Sequence, residues 1–269
     1  MLIAIFSDVH GNLAALEAVL ADIKEQAPDL VYFAGDLCLF GSRPAACLER
    51  LQQEKIISIY GNKDLPLRDP PPVPNKFGLD VAPQDTQEEI RDIVDWTRDQ
   101  LDDKQRAWLT ALPFYHRVSP TTHPKDDLFI VHANPKDIEQ HIYPAEAKQK
   151  EVYGEVRQPD DDVDLHHMLR GLSCDLLAFG HVHIPNIRHW QDKVLINISS
   201  VSLPQDGDQR AKYGLLNWDA VNGWRIKHRY VAYDVDEEIT SLGEKKLPGW
   251  ESYQRRLETA RPLQKVYNK

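Results

Sequence analysis

The sequence predicts an α/β fold built on a parallel sheet, with a second, more antiparallel sheet packed against the first. Three observations predict it. Short apolar runs alternate with helical stretches through the first sixty residues, those runs end abruptly in polar residues, and the texture changes to short β segments after residue 183.

The runs LIAIFSD (2–8), LVYFAGD (30–36) and IISIYGN (56–62) each read as a buried strand with a polar end. Between the first two, Leu13, Leu16, Val19, Leu20 and Ile23 recur at helical spacing. A shorter helix is predicted from Pro44 to Gln53, because proline suits a first turn. The proline-rich stretch 65–83 reads as an extended surface loop. Thr86 to Leu101 and Asp102 to Leu112 read as two helices with Trp96 and Trp108 on apolar faces. LFIVHAN (128–134) and DLLAFGHVH (175–183) supply two further strands with polar ends. Between them, residues 134–171 read as a polar helical or looped insertion whose acidic cluster at 160–162 and Asp164 is a solvated face. The segments IRHW, VLINIS, KYGLLNWD and WRIKHRYVAYD, with a turn at Val221–Gly223, predict the antiparallel sheet. From about 236 to 269 the chain is polar with a weak helical pattern, and it reads as a surface extension of one domain spanning 1–269.

Bulk properties narrow the classes of function. A net charge of −10 disfavours long nucleic acid and anionic membranes as partners, and no basic stripe with interleaved aromatics offsets it. Any anionic substrate therefore needs a local positive centre. Cys38, Cys47 and Cys174 cannot all pair and show no CxxC spacing, so they read as reduced thiols. The opening run MLIAIF is too short for a signal segment or a membrane span. A cytoplasmic protein is expected.

Five predicted strands end in metal-binding residue types: Asp8 and His10, Asp36, Asn62, His132, and His181 with His183. Taken singly these are weak signals, and the chain holds decoys at Asp164-Leu165-His166 and Gly207-Asp208. Position separates them, because a parallel sheet brings the ends of its strands to one rim. In an extended strand residues i and i+2 share a face, so Asp8 with His10 and His181 with His183 are expected to converge. Seven N/O donors without thiolate suit two Mn, Fe, Ni, Co or Zn ions rather than a structural zinc site. Glycine before Asp36, Asn62 and His181 allows tight backbone beside a crowded centre.

The ordered series SDVHGN, AGDL, YGNKD, VHAN and GHVH resembles the signature of the calcineurin-like metallophosphoesterases, closest to small bacterial and archaeal phosphodiesterase-like members. The likeness reaches about residue 235, where INISSVSLPQDGD resembles an Asn-Pro-Gly-Ser-Val segment with Ile198 and Ser199 in place of Pro and Gly. It implies a four-layer α/β/β/α sandwich with two mixed sheets and a dinuclear metal site at the strand C-terminal edge. One ion would be held by Asp8, His10 and His183, the other by Asn62, His132 and His181, with Asp36 bridging. Manganese is the first expectation. The implied function is hydrolysis of a small phosphate ester, a diester in preference to a monoester, by attack of metal-bound hydroxide.

One departure matters. The family's Gly-Asn-His-Asp is here Gly61-Asn62-Lys63-Asp64. Lysine supplies charge but is a poor proton donor, with an unperturbed pKa of about 10.4 against about 6.5 for histidine. Lys63 and Asp64 are candidate catalytic residues, and the competing reading has Lys63 facing solvent or pairing with Asp64. Asn12 either touches a phosphate oxygen or caps the helix that follows it. Asn134 either lines the pocket or serves the turn before Pro135. His141, like the other histidines outside the series, reads as a surface or satisfied core residue, and its place in the 134–171 insertion makes it the first to reconsider as a pocket wall. Two alternatives stand beside the phosphodiesterase: a phosphoprotein phosphatase, and a non-catalytic interaction module such as the retromer subunit that shares this fold.

Overall fold

A computed structural model of the chain describes residues 1–69, 84–160 and 163–262. Most of the proline-rich stretch and two residues of the acidic cluster, Asp161 and Asp162, lie outside the described residues.

Alternation of buried side chains builds four layers. In the first sheet, β1 (Leu2–Phe6), β2 (Leu30–Ala34) and β3 (Ile57–Ile59) are parallel neighbours. In the second, β5 (Leu128–Val131), β6 (Leu176–Phe179) and β8 (Lys193–Asn197) are parallel, flanked by antiparallel β4 (Tyr115–Val118) and β7 (Asn186–Trp190). Ile3, Ile5, Ala34 and Ile59 point inward and pack against Leu128, Ile130, Leu176, Ala178 and Ile196 of the other sheet. Their neighbours Ala4, Phe6 and Phe33 point outward to helices α1 (Leu13–Gln26) and α2 (Pro44–Gln53). Leu177, Phe179 and Leu195 face out on the far side, under α6 (Val163–Leu169). The period of two within each strand thus produces two outer cores and one central core.

The sheets do not divide by halves of the chain as expected. The hairpin of β9 (Ala211–Asp219) and β10 (Gly223–Val231) joins the first sheet, with β9 antiparallel to β1 in the register Ile3↔Leu216. Ala211 to Leu216 are buried without interruption, as suits a strand inside a sheet covered on both faces. Strand β4 was not predicted, because an edge strand with exposed Tyr115 and Arg117 carries little hydrophobic pattern.

The two helices predicted near residue 100 are α3 (Gln84–Asp99) and α4 (Asp103–Ala111), separated by a reciprocal cap in which Asp102 and Gln105 each bond the other's backbone N–H. In the 134–171 region, α5 (Glu146–Tyr153) precedes α6. The segment read as a surface extension instead forms α7 (Val235–Lys245) and α8 (Trp250–Thr259), which bury Leu242, Tyr253 and Leu257 in the core beside α1. Burying side chains of this size contributes about 1.5–3 kcal/mol each, enough to dock the pair. Among the described residues no helix is long and apolar enough to cross a membrane.

Candidate metal centre

All five strands that end in donor residues deliver them to one rim. β1 stops at Phe6, β2 at Ala34, β3 at Ile59, β5 at Val131 and β6 at Phe179, and the donors lie one to four residues further on. The pairs Asp8/His10 and His181/His183 do not converge through strand alternation, which corrects the expectation. Both lie past their strands, and Asp8, His10, Asp36, His181 and His183 have φ of 58°, 49°, 64°, 66° and 60°. Left-handed backbone of this kind costs about 1–3 kcal/mol per residue and persists where surrounding structure dictates it. Aspartate and histidine tolerate it better than most side chains. Ser199 adopts the same conformation (φ 68°) at the position where the resembled motif has glycine.

Missing Cβ atoms let the loops close on one another. A Cβ on Gly61 would lie 2.1 Å from Asp36 Oδ1, and one on Gly180 would lie 2.3 Å from Asp8 Oδ2. Neither glycine is among the positive-φ residues, so close approach rather than φ demands glycine at both.

At the centre, acceptors face one another. His10 Nε2 and His183 Nε2 are 3.4 Å apart, and His183 Nε2 is 2.9 Å from Asp8 Oδ1. The other ring nitrogens face carbonyl oxygens: His10 Nδ1 with Leu39 (3.0 Å), His183 Nδ1 with Leu203 (2.8 Å) and His132 Nδ1 with Ala34 (2.9 Å). A carbonyl only accepts, which assigns the proton to Nδ1 and turns each Nε2 lone pair inward. On the other side His132 Nε2 meets Asp36 Oδ2 at 3.3 Å and Asn62 Oδ1 at 3.0 Å. His181 presents Nδ1, 3.2 Å from His132 Nε2, while its Nε2 faces the Glu139 carbonyl. Asp36 stands between the groups, its Oδ2 also 4.0 Å from His10 Nε2. This set of apposed nitrogen and oxygen atoms could hold a cation, and the carbonyls stand where outer partners orient metal-binding imidazoles. Asp8 with His10 and His183, and Asp8 with Asp36 and His132, each bring ligand atoms within 4.8 Å of one another.

Charge states follow from burial. Desolvation lowers His10 to about 3 and pulls His181 well below the usual histidine range, leaving both in the neutral state that metal ligation would require. Burial also works against protonated His132, yet Asp36 beside it raises that histidine to about 9, so without a metal its Nε2 carries a second proton that a cation bound there would displace. Burial tends to raise Asp8 and Asp36, but the facing histidines hold both below the usual carboxylate range.

The flanking candidates divide. Asp64 is fully buried, and its carboxylate accepts from the N–H groups of Asp36 (2.9 Å), Leu37 (2.8 Å) and Gly61 (2.9 Å). It ties the β2 and β3 loops together and makes no pair with Lys63. The Lys63 N–H donates to Asp36 Oδ1 at 2.7 Å, while its ammonium acts electrostatically on Glu139, His141 and His181 without an ion pair among the described residues. Asn134 organises its own loop, accepting from the N–H of Lys136 and Asp137 and donating to the Gln140 carbonyl, each at 2.8 Å. Asn12 caps α1 through Ala15 N (3.0 Å) and gives its amide hydrogens to Ser202 Oγ and Tyr233 OH. Asn12→Ala is therefore expected to lower stability by about 1–2 kcal/mol, with turnover per folded molecule unchanged. Urea unfolding beside an activity assay checks this; lost turnover at full stability would return Asn12 to the substrate.

Glu139 escaped the sequence reading, and His141 entered it only as the histidine to reconsider. Glu139 Oε2 accepts from Asn62 Nδ2 at 2.9 Å, which turns Asn62 Oδ1 toward the centre. The His141 ring lies 4.4 Å from that of His181 and stacks on Tyr143 at 5.2 Å, extending the wall of the site. His141 alone had a signal, its place in the polar segment. The decoys sit elsewhere: His166 meets Gln191 and Trp190, and Asp208 pairs with Arg210.

Comparison with known proteins decides the family. A model described as the calcineurin-like phosphoesterase superfamily domain matches residues 1–220. The chain belongs to that superfamily. It is thus, by class, a phosphoric ester hydrolase of the calcineurin-like type, and its two mixed sheets match structures of that type. A metallophosphoesterase from Sphaerobacter thermophilus is 25% identical with a TM-score of 0.69, covering 97% of this chain and 100% of that one. A hypothetical protein from Pyrococcus horikoshii shares the fold at a TM-score of 0.74 and 19% identity, covering 96% and 98%. An uncharacterized protein of Methanocaldococcus jannaschii is 26% identical over 268 residues, covering 93% of this chain and 95% of that protein.

Proposed function

We propose that this calcineurin-like phosphoesterase hydrolyses small phosphate esters with two divalent transition-metal ions, and diesters in preference to monoesters. The observation that carries the reading is the set of inward-facing acceptors at the rim, with His10 and His183 Nε2 at 3.4 Å. Asp8, His10 and His183 would hold one ion, Asn62, His132 and His181 the other, with Asp36 between them. Manganese is the first candidate, then Fe, Ni, Co and Zn, since such donors accept all five. When bound, two such ions activate water for in-line attack and offset charge on the phosphate oxygens.

The chain's own groups set geometry and selectivity. The Lys63 and Asp64 contacts on the Asp36 loop fix Asp36 without using its Oδ2. In this reading the Lys63 ammonium binds a phosphate oxygen or the leaving oxygen. Histidine would protonate a poor leaving group more readily, so lysine suits diesters and activated esters. Lys63→His is expected to raise the monoester-to-diester turnover ratio by about tenfold or more, with the roughly 10²- to 10⁴-fold of a fully positioned acid as the upper range. An unchanged ratio would sink the idea. A cytoplasmic location fits the three free, buried cysteines.

The experiment is hydrolysis of a chromogenic phosphodiester and its monoester by metal-stripped protein, with Mn²⁺, Ni²⁺, Co²⁺, Zn²⁺ and Mg²⁺ restored separately. Metal-dependent diester turnover exceeding monoester turnover is expected. Equal or greater monoester turnover removes the preference, and absence of turnover with every metal on both esters counts against the reading.

A further inference from the structure

The C-terminal helices bring a cation to this rim that none of the foregoing uses. Arg256 lies on α8, three residues beyond Tyr253. Tyr253 is buried and stacks on Phe40, with ring centroids 4.9 Å apart and planes 21° apart. Phe40 in turn lies 5.4 Å from the His10 ring. Arg256 Cζ lies 6.0 Å from the Tyr253 centroid, at the far end of this chain of rings that begins at His10. The electrostatics agree. Burial is the largest influence lowering His10, and the Arg256 charge adds to it; burial also lowers Arg256, against the pull of Tyr253 and Asp8.

Arg256 is half-buried, yet its guanidinium has no hydrogen bond or ion pair among the described residues. By contrast Arg43, Arg98, Arg106, Arg188 and Arg229 each meet a carboxylate. A half-buried guanidinium that no described side chain or carbonyl engages keeps its donors free for an anion from outside the chain. The planar fork of donors matches two phosphate oxygens at once. Arg256 also lies beyond the stretch matched by the family model, residues 1–220.

We propose that Arg256 is a substrate-binding residue, its guanidinium receiving non-bridging phosphate oxygens on the Asp8, His10 and His183 side of the centre. The proposal rests on the phosphoester reading above. It assigns a phosphate-recognition role to the C-terminal helices.

The test is calorimetric titration of inorganic phosphate into full-length, manganese-loaded protein, comparing wild type with R256A, R256Q and R256K. Metal content and thermal midpoint are recorded for each, and diester turnover is measured in parallel. R256A and R256Q are expected to weaken phosphate by about 10- to 100-fold, the range of a charge-assisted hydrogen bond. Metal content stays unchanged, and R256K recovers part of the affinity. Should R256A fold poorly, R256Q and R256K decide, since both preserve most of the side chain. Phosphate affinity within about twofold of wild type in a metal-loaded R256Q overturns the proposal. So does a wild type that binds no phosphate, or loss of phosphate only together with loss of metal. Diester turnover with unaffected R256Q leaves the proposed function standing and removes Arg256. Phosphate binding weakened by R256Q, without ester hydrolysis in wild type, does the reverse.

Discussion

Asp36→Ala is expected to reduce diester turnover by about 10³-fold or more, with metal uptake falling below two ions per chain. Asp36 is 2% exposed and stands between the two groups of donors, 3.3 Å from His132 and 4.0 Å from His10, while Asp8 also lies within 4.8 Å of members of both. In the proposed two-ion centre its loss would remove a negative charge from between the ions and leave them to repel each other. Removing it also frees the Lys63 N–H that it accepts at 2.7 Å, so the loop bearing Asn62 loses a tether. The backbone contacts of Asp64 remain, and a folded variant is expected. Turnover and metal content measured together check this. Wild-type turnover with two ions bound would remove Asp36 from the centre.

Gly61→Ala should be nearly as damaging without touching a donor. The added Cβ would lie 2.1 Å from Asp36 Oδ1 and 2.4 Å from Asp36 N, distances that real Cβ atoms do not show. Since the second of these is backbone, rotating the Asp36 side chain away does not resolve the clash. The β2 and β3 loops must part, which strains the bonds from Gly61, Asp36 and Leu37 to Asp64. Overpacking of this kind costs about 1–3 kcal/mol in stability, and shifting a reacting group by an ångström costs about 10²-fold in rate. Chemical denaturation and diester kinetics on one sample separate the two effects. Unchanged turnover would mean that Asp36 is not confined as described.

The convergence of Asp8, His10, Asp36, Asn62, His132, His181 and His183 was legible in the sequence because each follows an apolar run, and parallel strands bring such ends to one rim. The sequence did not carry the way Asp8 converges with His10, or His181 with His183. That depends on left-handed backbone beyond the strand, and φ leaves no mark when the residue is not glycine. The partner of the β9–β10 hairpin was hidden as well, because pairing β9 with β1 joins residues more than two hundred positions apart. Asp64 looked like a companion of Lys63 by adjacency, whereas its carboxylate points back at three backbone N–H groups. Glu139 and Arg256 carry no local signature. The helix bearing Arg256 turns only a narrow face, chiefly Tyr253 and Leu257, into the core, and Arg256 lies among its many polar positions.

The most direct test of a two-ion centre is stoichiometry. Metal-stripped protein titrated with Mn²⁺ should bind two ions per chain, with diester turnover rising as the second site fills. One ion per chain, or none, would contradict the account whatever the turnover.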